Sequence, residues 1–226
     1  QNAFPIASLT KLMTAVVVSE NIDLRKSILV REEMLSDGYG HTQGLDTGQR
    51  FRIVELFYPL LIESSNDAAE VLSRYLGRAR TIKLMNEKAG AILMENTNFA
   101  DPSGYDPKNT SSARGLFYLA RYILNNRPPL FQISKGQEVL SFGEVSFKNL
   151  KNKNFFFNQP DFIGGKTGYI LSSKHTGLFL FHLTAKDGAE RNVVIILLGS
   201  SGPVSNSPGN LEEDAQTLLI WLKENL

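Results

Sequence analysis

Residues 9–18, Leu-Thr-Lys-Leu-Met-Thr-Ala-Val-Val-Val, are apolar on most sides of a helix, and such a helix belongs inside a fold. Pro5 and Ser8 precede it as start signals. A glycine-rich loop at 37–44 and an Asp46-Thr47-Gly48 turn come next, then an apolar stretch at 53–62. Helical patterns follow over 67–76, 82–93 and 110–124. From about residue 131 the pattern changes. Short runs with strand chemistry (145–147, 177–183, 193–198) alternate with turns, and Lys186-Asp187-Gly188 between the last two signals a hairpin. A closing helix at 211–226 carries Leu218, Leu219, Trp221 and Leu222. Strand runs segregated from helices predict an α+β fold. One domain over 1–226 is expected, with a helical lobe at roughly 5–130 and a strand-rich lobe at roughly 131–226.

Composition narrows the function. The 226 residues carry 24 Lys+Arg against 23 Asp+Glu, so a net charge of +1 offers no global field for nucleic acid or an anionic membrane. The longest apolar run, 193–198, is far short of the ~20 residues of a spanning helix. With no cysteine there is no disulfide, thiolate nucleophile or Cys-ligated zinc, and the three scattered histidines lack ligand spacing. No cofactor or metal is implied.

Three short motifs have candidate chemistry. Ser8 and Lys11 form Ser-x-x-Lys at a helix start. Three helical steps turn about 300°, bringing both side chains to one face. A buried lysine that has lost its proton is a base for a neighbouring hydroxyl. Moving it from ~10.4 to near 7 takes about 3 pH units, roughly 4–5 kcal/mol of destabilised charge. An N-cap serine and a surface lysine explain the same spacing. Ser64 and Asn66 form Ser-x-Asn before a helix, where a proton relay and a substrate clamp compete with a simple cap by Asn66 or Asp67. Lys166-Thr167-Gly168, after Gly164-Gly165, reads either as a turn or as an edge strand that meets a carboxylate.

Taken together, the motifs and their order resemble the penicillin-interacting serine enzymes. The segments around them narrow this to the low-molecular-mass D-alanyl-D-alanine carboxypeptidases: Pro5-Ile6-Ala7-Ser8-Leu9-Thr10-Lys11-Leu12-Met13-Thr14, Ser64-Ser65-Asn66-Asp67-Ala68-Ala69, Asn98-Phe99-Ala100-Asp101-Pro102-Ser103-Gly104 and Gly165-Lys166-Thr167-Gly168-Tyr169. The resemblance covers essentially the whole chain. It implies a β-lactamase/transpeptidase-like fold, with a helical lobe and an antiparallel sheet flanked by helices. It also implies an acyl-enzyme on Ser8, with Lys11 as base, Ser64 as proton relay and Asn66 as clamp. Lys166 would keep the site electropositive, Thr167 and Gly168 would hold substrate, and the N–H groups of Ser8 and Tyr169 would form the oxyanion hole. Peptidoglycan stem peptides are the implied substrates, β-lactams the inhibitors, and the bacterial periplasm or wall space the compartment, with no signal segment in this chain.

The chain departs from the family pattern in several places. It starts seven residues before Ser8, so two customary N-terminal strands are expected to be missing or replaced. No Arg or Lys occurs in 199–211, where the family has a carboxylate-binding Arg. Gly115 replaces an acidic residue, and Pro59 is expected to kink the approach to Ser64. The missing Arg leaves D,D-endopeptidase cleavage of cross-links open beside carboxypeptidase action. A class A β-lactamase would need a deacylating Glu, for which Glu95 and Glu138 are out of pattern. A non-catalytic wall-binding homologue is the remaining alternative.

Overall fold

The computed structural model describes residues 2–35, 45–137, 147, 149–201 and 209–226. The glycine-rich loop at 37–44, residues 145–146 of the first strand run and Glu138 lie outside the described residues. The chain opens with β1 (Phe4–Pro5), a 3-10 turn (Ala7–Leu9) and α1 (Thr10–Asn21). Residues 10–18 are all buried, as the all-round apolar pattern requires. Around α1 lie β2 (Ser27–Leu29) paired with β3 (Arg50–Arg52), α2 (Asn66–Leu76) and α3 (Arg78–Ala91). β4 (Thr110–Ser111), α4 (Ala113–Asn126) and α5 (Pro128–Lys135) follow. The second lobe is β5 (Phe162–Ile170), β6 (Lys174–Thr184) and β7 (Glu190–Ser200), an antiparallel sheet in that order, closed by α6 (Gly209–Asn225). The architecture is α+β.

The sheet packs on both faces because alternate residues of β6 point opposite ways. Leu178 and Leu180 join the large core with α1, α4 and α5. Phe179 and Phe181 turn to a second core with Phe156, Phe162, Leu211, Ala215 and Leu219 beneath α6. Phe156 meets Phe179 and Phe181 edge-on, with ring centroids 5.2 and 5.1 Å apart. The hairpin turns where predicted, with Gly188 N–H donating to Ala185 O at 2.9 Å.

Several boundaries differ from the sequence reading, each for a local reason. Thr110 and Ser111 are not helical; they pair with Pro5 and Phe4, and Ser112 caps α4 by accepting from Gly115 N–H at 3.1 Å. α3 starts at Arg78, earlier than 82, since its first turn is polar and gives no apolar signal. Pro128 and Pro129 hid α5, where they stand at the first helical positions and need no N–H partner. Of the two readings of Lys166-Thr167-Gly168, the edge strand holds: it lies in β5, a nine-residue strand at one edge of the β5-β6-β7 sheet. Gly164 is required there: a Cβ would lie 2.4 Å from the Phe131 carbonyl oxygen of α5.

Candidate active site

The segment entering Ser8 is held from both lobes. Ile6 N–H donates to Asn109 O at 3.0 Å, and Thr176 Oγ1 of β6 donates to Ile6 O at 3.1 Å. Ala7 has φ of 47°, a left-handed conformation that costs an L-residue about 1–2 kcal/mol. Gly104 backs onto it. A Cβ at Gly104, itself at φ +86°, would stand 1.8 Å from Ala7 O. Gly104→Ala is therefore expected to cost about 2–4 kcal/mol of stability, read as a lower denaturation midpoint. An unchanged midpoint would show that this close approach is not needed.

Ser8 sits in the 3-10 turn and Lys11 is the second residue of α1, so the three-residue spacing turns both side chains the same way. Lys11 Nζ lies 3.0 Å from Ser8 Oγ, 2.7 Å from Asn66 Oδ1 and 2.7 Å from the Ser103 carbonyl oxygen. The lysine is fully buried. Burial lowers its pKa from 10.5 to about 7, with the Asp101 carboxylate pulling the other way. A neutral amine has two N–H bonds and one lone pair. Asn66 Oδ1 and Ser103 O take the two hydrogens, which leaves the lone pair for the Ser8 hydroxyl.

The second motif reaches the same point by an irregular route. Pro59 does interrupt the preceding helix: the segment Pro59–Glu63 is a π-turn, ending at Ser64 with φ of 66°. Ser65, neither Asn66 nor Asp67, caps α2 by accepting from Ala68 N–H at 3.0 Å. Asn66 thus turns its amide oxygen to Lys11. The capping role predicted for it passes to its neighbour.

β5 supplies the third wall. Lys166 is fully buried and donates to Thr167 O at 2.7 Å. Burial first, then the charges of Lys11 and Lys153, push its pKa well below the ordinary lysine value. Two buried ammonium groups side by side are costly, so the site is less electropositive than two lysines suggest. A groove of about 310 Å³ is lined by Ser8, Ser64, Thr167, Gly168 and Tyr169. All three motifs meet at this groove. A larger cavity of about 740 Å³, beside Tyr58, Lys135 and Phe147, holds none of them.

Residues 1–201 match the family model described as D-alanyl-D-alanine carboxypeptidase. The chain belongs to the D-alanyl-D-alanine carboxypeptidase family. Among family relatives, a D-alanyl-D-alanine endopeptidase of Haemophilus influenzae is 35% identical over 184 residues, covering 78% of this chain and 62% of the relative. The D-alanyl-D-alanine carboxypeptidase DacD of Escherichia coli is 28% identical over 97% of this chain and 57% of its own length. The chain thus spans about three fifths of the length of these two relatives. A solved structure of Penicillin-Binding Protein D2 from Listeria monocytogenes, in the cefotaxime-bound form, superposes with a TM-score of 0.79 at 25% identity, covering 97% of this chain and 87% of that one. The D-alanyl-D-alanine carboxypeptidase of Mycobacterium tuberculosis gives a TM-score of 0.79 at 26% identity, over 97% and 82%.

Five groove residues escaped the sequence reading: Lys153, Phe155, His175, Leu211 and Glu212. They belong to no motif and come from segments far apart in the chain. Lys153 brings a cation to the groove wall. Its backbone is pinned on both sides of the groove, its N–H donating to Ile62 O at 2.9 Å and its carbonyl accepting from Thr167 Oγ1 at 3.3 Å. His175 packs against Tyr169 at a tilt of 34°, with ring centroids 4.6 Å apart, and burial lowers its pKa.

Proposed function

We propose that this chain is the catalytic part of a serine D,D-carboxypeptidase that removes the terminal D-alanine of peptidoglycan stem peptides. The observation that carries this reading is the buried Lys11 amine, 3.0 Å from Ser8 Oγ at the groove that Thr167 and Ser64 line. Ser8 Oγ attacks the carbonyl between the two D-alanines as its proton passes to Lys11. The C–N bond breaks as Lys11 gives up that proton to the leaving amine, with the Ser64 hydroxyl at the groove wall relaying it once substrate is bound. Water then cleaves the Ser8 ester and restores the hydroxyl. The N–H groups of Ser8 and Tyr169 stabilise the oxyanion, each such donor being worth ~10²–10³ in rate. The substrate carboxylate meets Thr167 and, by its own charge, favours protonation of Lys166. β-Lactams, which mimic the dipeptide, acylate Ser8. The substrate puts the protein in the extracytoplasmic space.

A second reading, D,D-endopeptidase action on cross-links, is favoured by one feature of the groove. Its wall holds Glu212, and no Arg or Lys occurs in 199–211. A free terminal carboxylate lacks its usual strong partner there, a loss of about 1.5–3 kcal/mol. The test is incubation with a pentapeptide, with cross-linked muropeptide dimers and with a fluorescent penicillin, followed by mass spectrometry. D-Alanine release and a long-lived penicillin adduct are expected. Faster cleavage of dimers establishes the endopeptidase, rapid penicillin turnover a β-lactamase, and inertness toward all three a binding protein.

A further inference from the structure

The structure assigns Asp101 as a positioning residue, which sets the Ser103 carbonyl against the Lys11 amine and anchors the loop that holds the approach to Ser8. This rests on Lys11 acting as the base. Asp101 is buried, with 6% of its surface exposed. Its Oδ1 accepts from Ser103 N–H at 2.6 Å, Ser103 Oγ at 2.8 Å and Gly104 N–H at 2.7 Å. Its Oδ2 accepts from Asp106 N–H at 2.5 Å and Asn109 Nδ2 at 2.8 Å. One carboxylate thereby folds residues 101–109 around itself. Burial opposes its ionisation, but these donors outweigh burial and hold its pKa below the ordinary aspartate value.

Three products of that loop reach the catalytic pair. Ser103 O accepts from Lys11 Nζ, Gly104 supports the strained Ala7, and Asn109 O accepts from Ile6 N–H. Without Ser103 O in place, one amine hydrogen of Lys11 is unpaired and its lone pair is no longer aimed by geometry. The carboxylate acts a second time through its field, stabilising the protonated amine and so raising the pH at which Lys11 becomes a base. Other charged groups share this neighbourhood. Lys166 on β5 is itself depressed, first by burial and then by the charges of Lys11 and Lys153. Arg78 on α3 lies in the field of Asp101 and is paired with Glu70. Asp67 is buried on α2, one residue past Asn66.

The test is the rate of Ser8 acylation by a fluorescent penicillin as a function of pH, with thermal unfolding in parallel. Two variants are compared with the native chain: Asp101→Asn and the exchange Asp101→Asn/Asn109→Asp. The single change presents an amide to two donors, so acylation is expected to fall roughly 10–100-fold, with a lower unfolding temperature. In the exchange the introduced amide donates to the introduced carboxylate, but the Asp106 N–H still faces that amide, and the Asp106 carbonyl, which Asn109 Nδ2 reaches at 2.9 Å, then faces the carboxylate. Part of the unfolding temperature and of the rate should therefore return. In the single variant, which has lost the charge that favours the protonated amine, the acid limb should move to lower pH. An acid limb at the native pH in the folded single variant overturns the proposal, as does a native rate there. An exchange variant that regains neither folding nor rate overturns it as well. Failure of the native chain to acylate instead refutes Ser8 and Lys11 as the catalytic pair.

Discussion

Ser8→Ala is expected to abolish covalent labelling by a fluorescent penicillin and to lower D-alanine release by roughly 10⁴–10⁶-fold. The size follows from the geometry of the pair. Lys11 Nζ is 3.0 Å from Ser8 Oγ, and its other two contacts, Asn66 Oδ1 and Ser103 O, can only accept. Ser64 Oγ also lines the groove, but Lys11 makes no hydrogen bond to it among the described residues, so it has no base to replace Ser8 with. Removing one hydroxyl beside the groove leaves the fold intact, and circular dichroism and the unfolding temperature should match the native chain. Intact-mass analysis reads the adduct directly. A variant that still labels would mean that another side chain is the nucleophile.

Lys11→Met tests the other half of the pair and has two signatures. Loss of a general base is expected to cut acylation by about 10²–10⁴-fold. The proposed mechanism makes the neutral amine of Lys11 the reactive form. With a pKa of about 7, kcat/KM should fall about tenfold per pH unit below that value and level off above it. The same titration enters stability with a definite sign. The unfolded chain binds the Lys11 proton below about 10.5, whereas the folded chain binds it only below about 7. Between those limits the unfolded state holds one more proton, so stability rises with pH by about 1.4 kcal/mol per unit from this group. Lys166, also depressed by burial, adds a slope of the same sign. Denaturation of native and Lys11→Met protein across pH 7–10 should therefore differ by one proton's slope. Equal slopes would show that Lys11 stays charged in the fold, and the acid limb would then need another owner.

Much of the helical lobe was readable because its signals are local. α1 announces itself by its mostly apolar run, and α2 by a periodic face behind a polar cap. Local signals failed where a residue is chosen for a distant neighbour. The glycines of β5 left turn and edge strand both open until Phe131 is brought against them, and Pro128–Pro129 look like a break until they stand at a helix start. Ser65 took the cap offered to Asn66 because the π-turn ending at Ser64 leaves the chain one residue out of the simple register.

The linear order of residues was enough to settle which side chains are available for chemistry: a serine and a lysine one turn apart, a Ser-x-Asn, and a Lys-Thr-Gly, in a chain without thiols or a net field. Spacing within a helix is geometry that the sequence already contains. Tertiary structure alone decided that Lys11 is dehydrated, that Ser103 and Asn66 occupy its two hydrogens, and that Lys153, His175 and Glu212 share the groove. Proton affinity and cleft composition depend on what packs within a few ångströms, and here those neighbours come from segments up to about 200 residues apart in the chain.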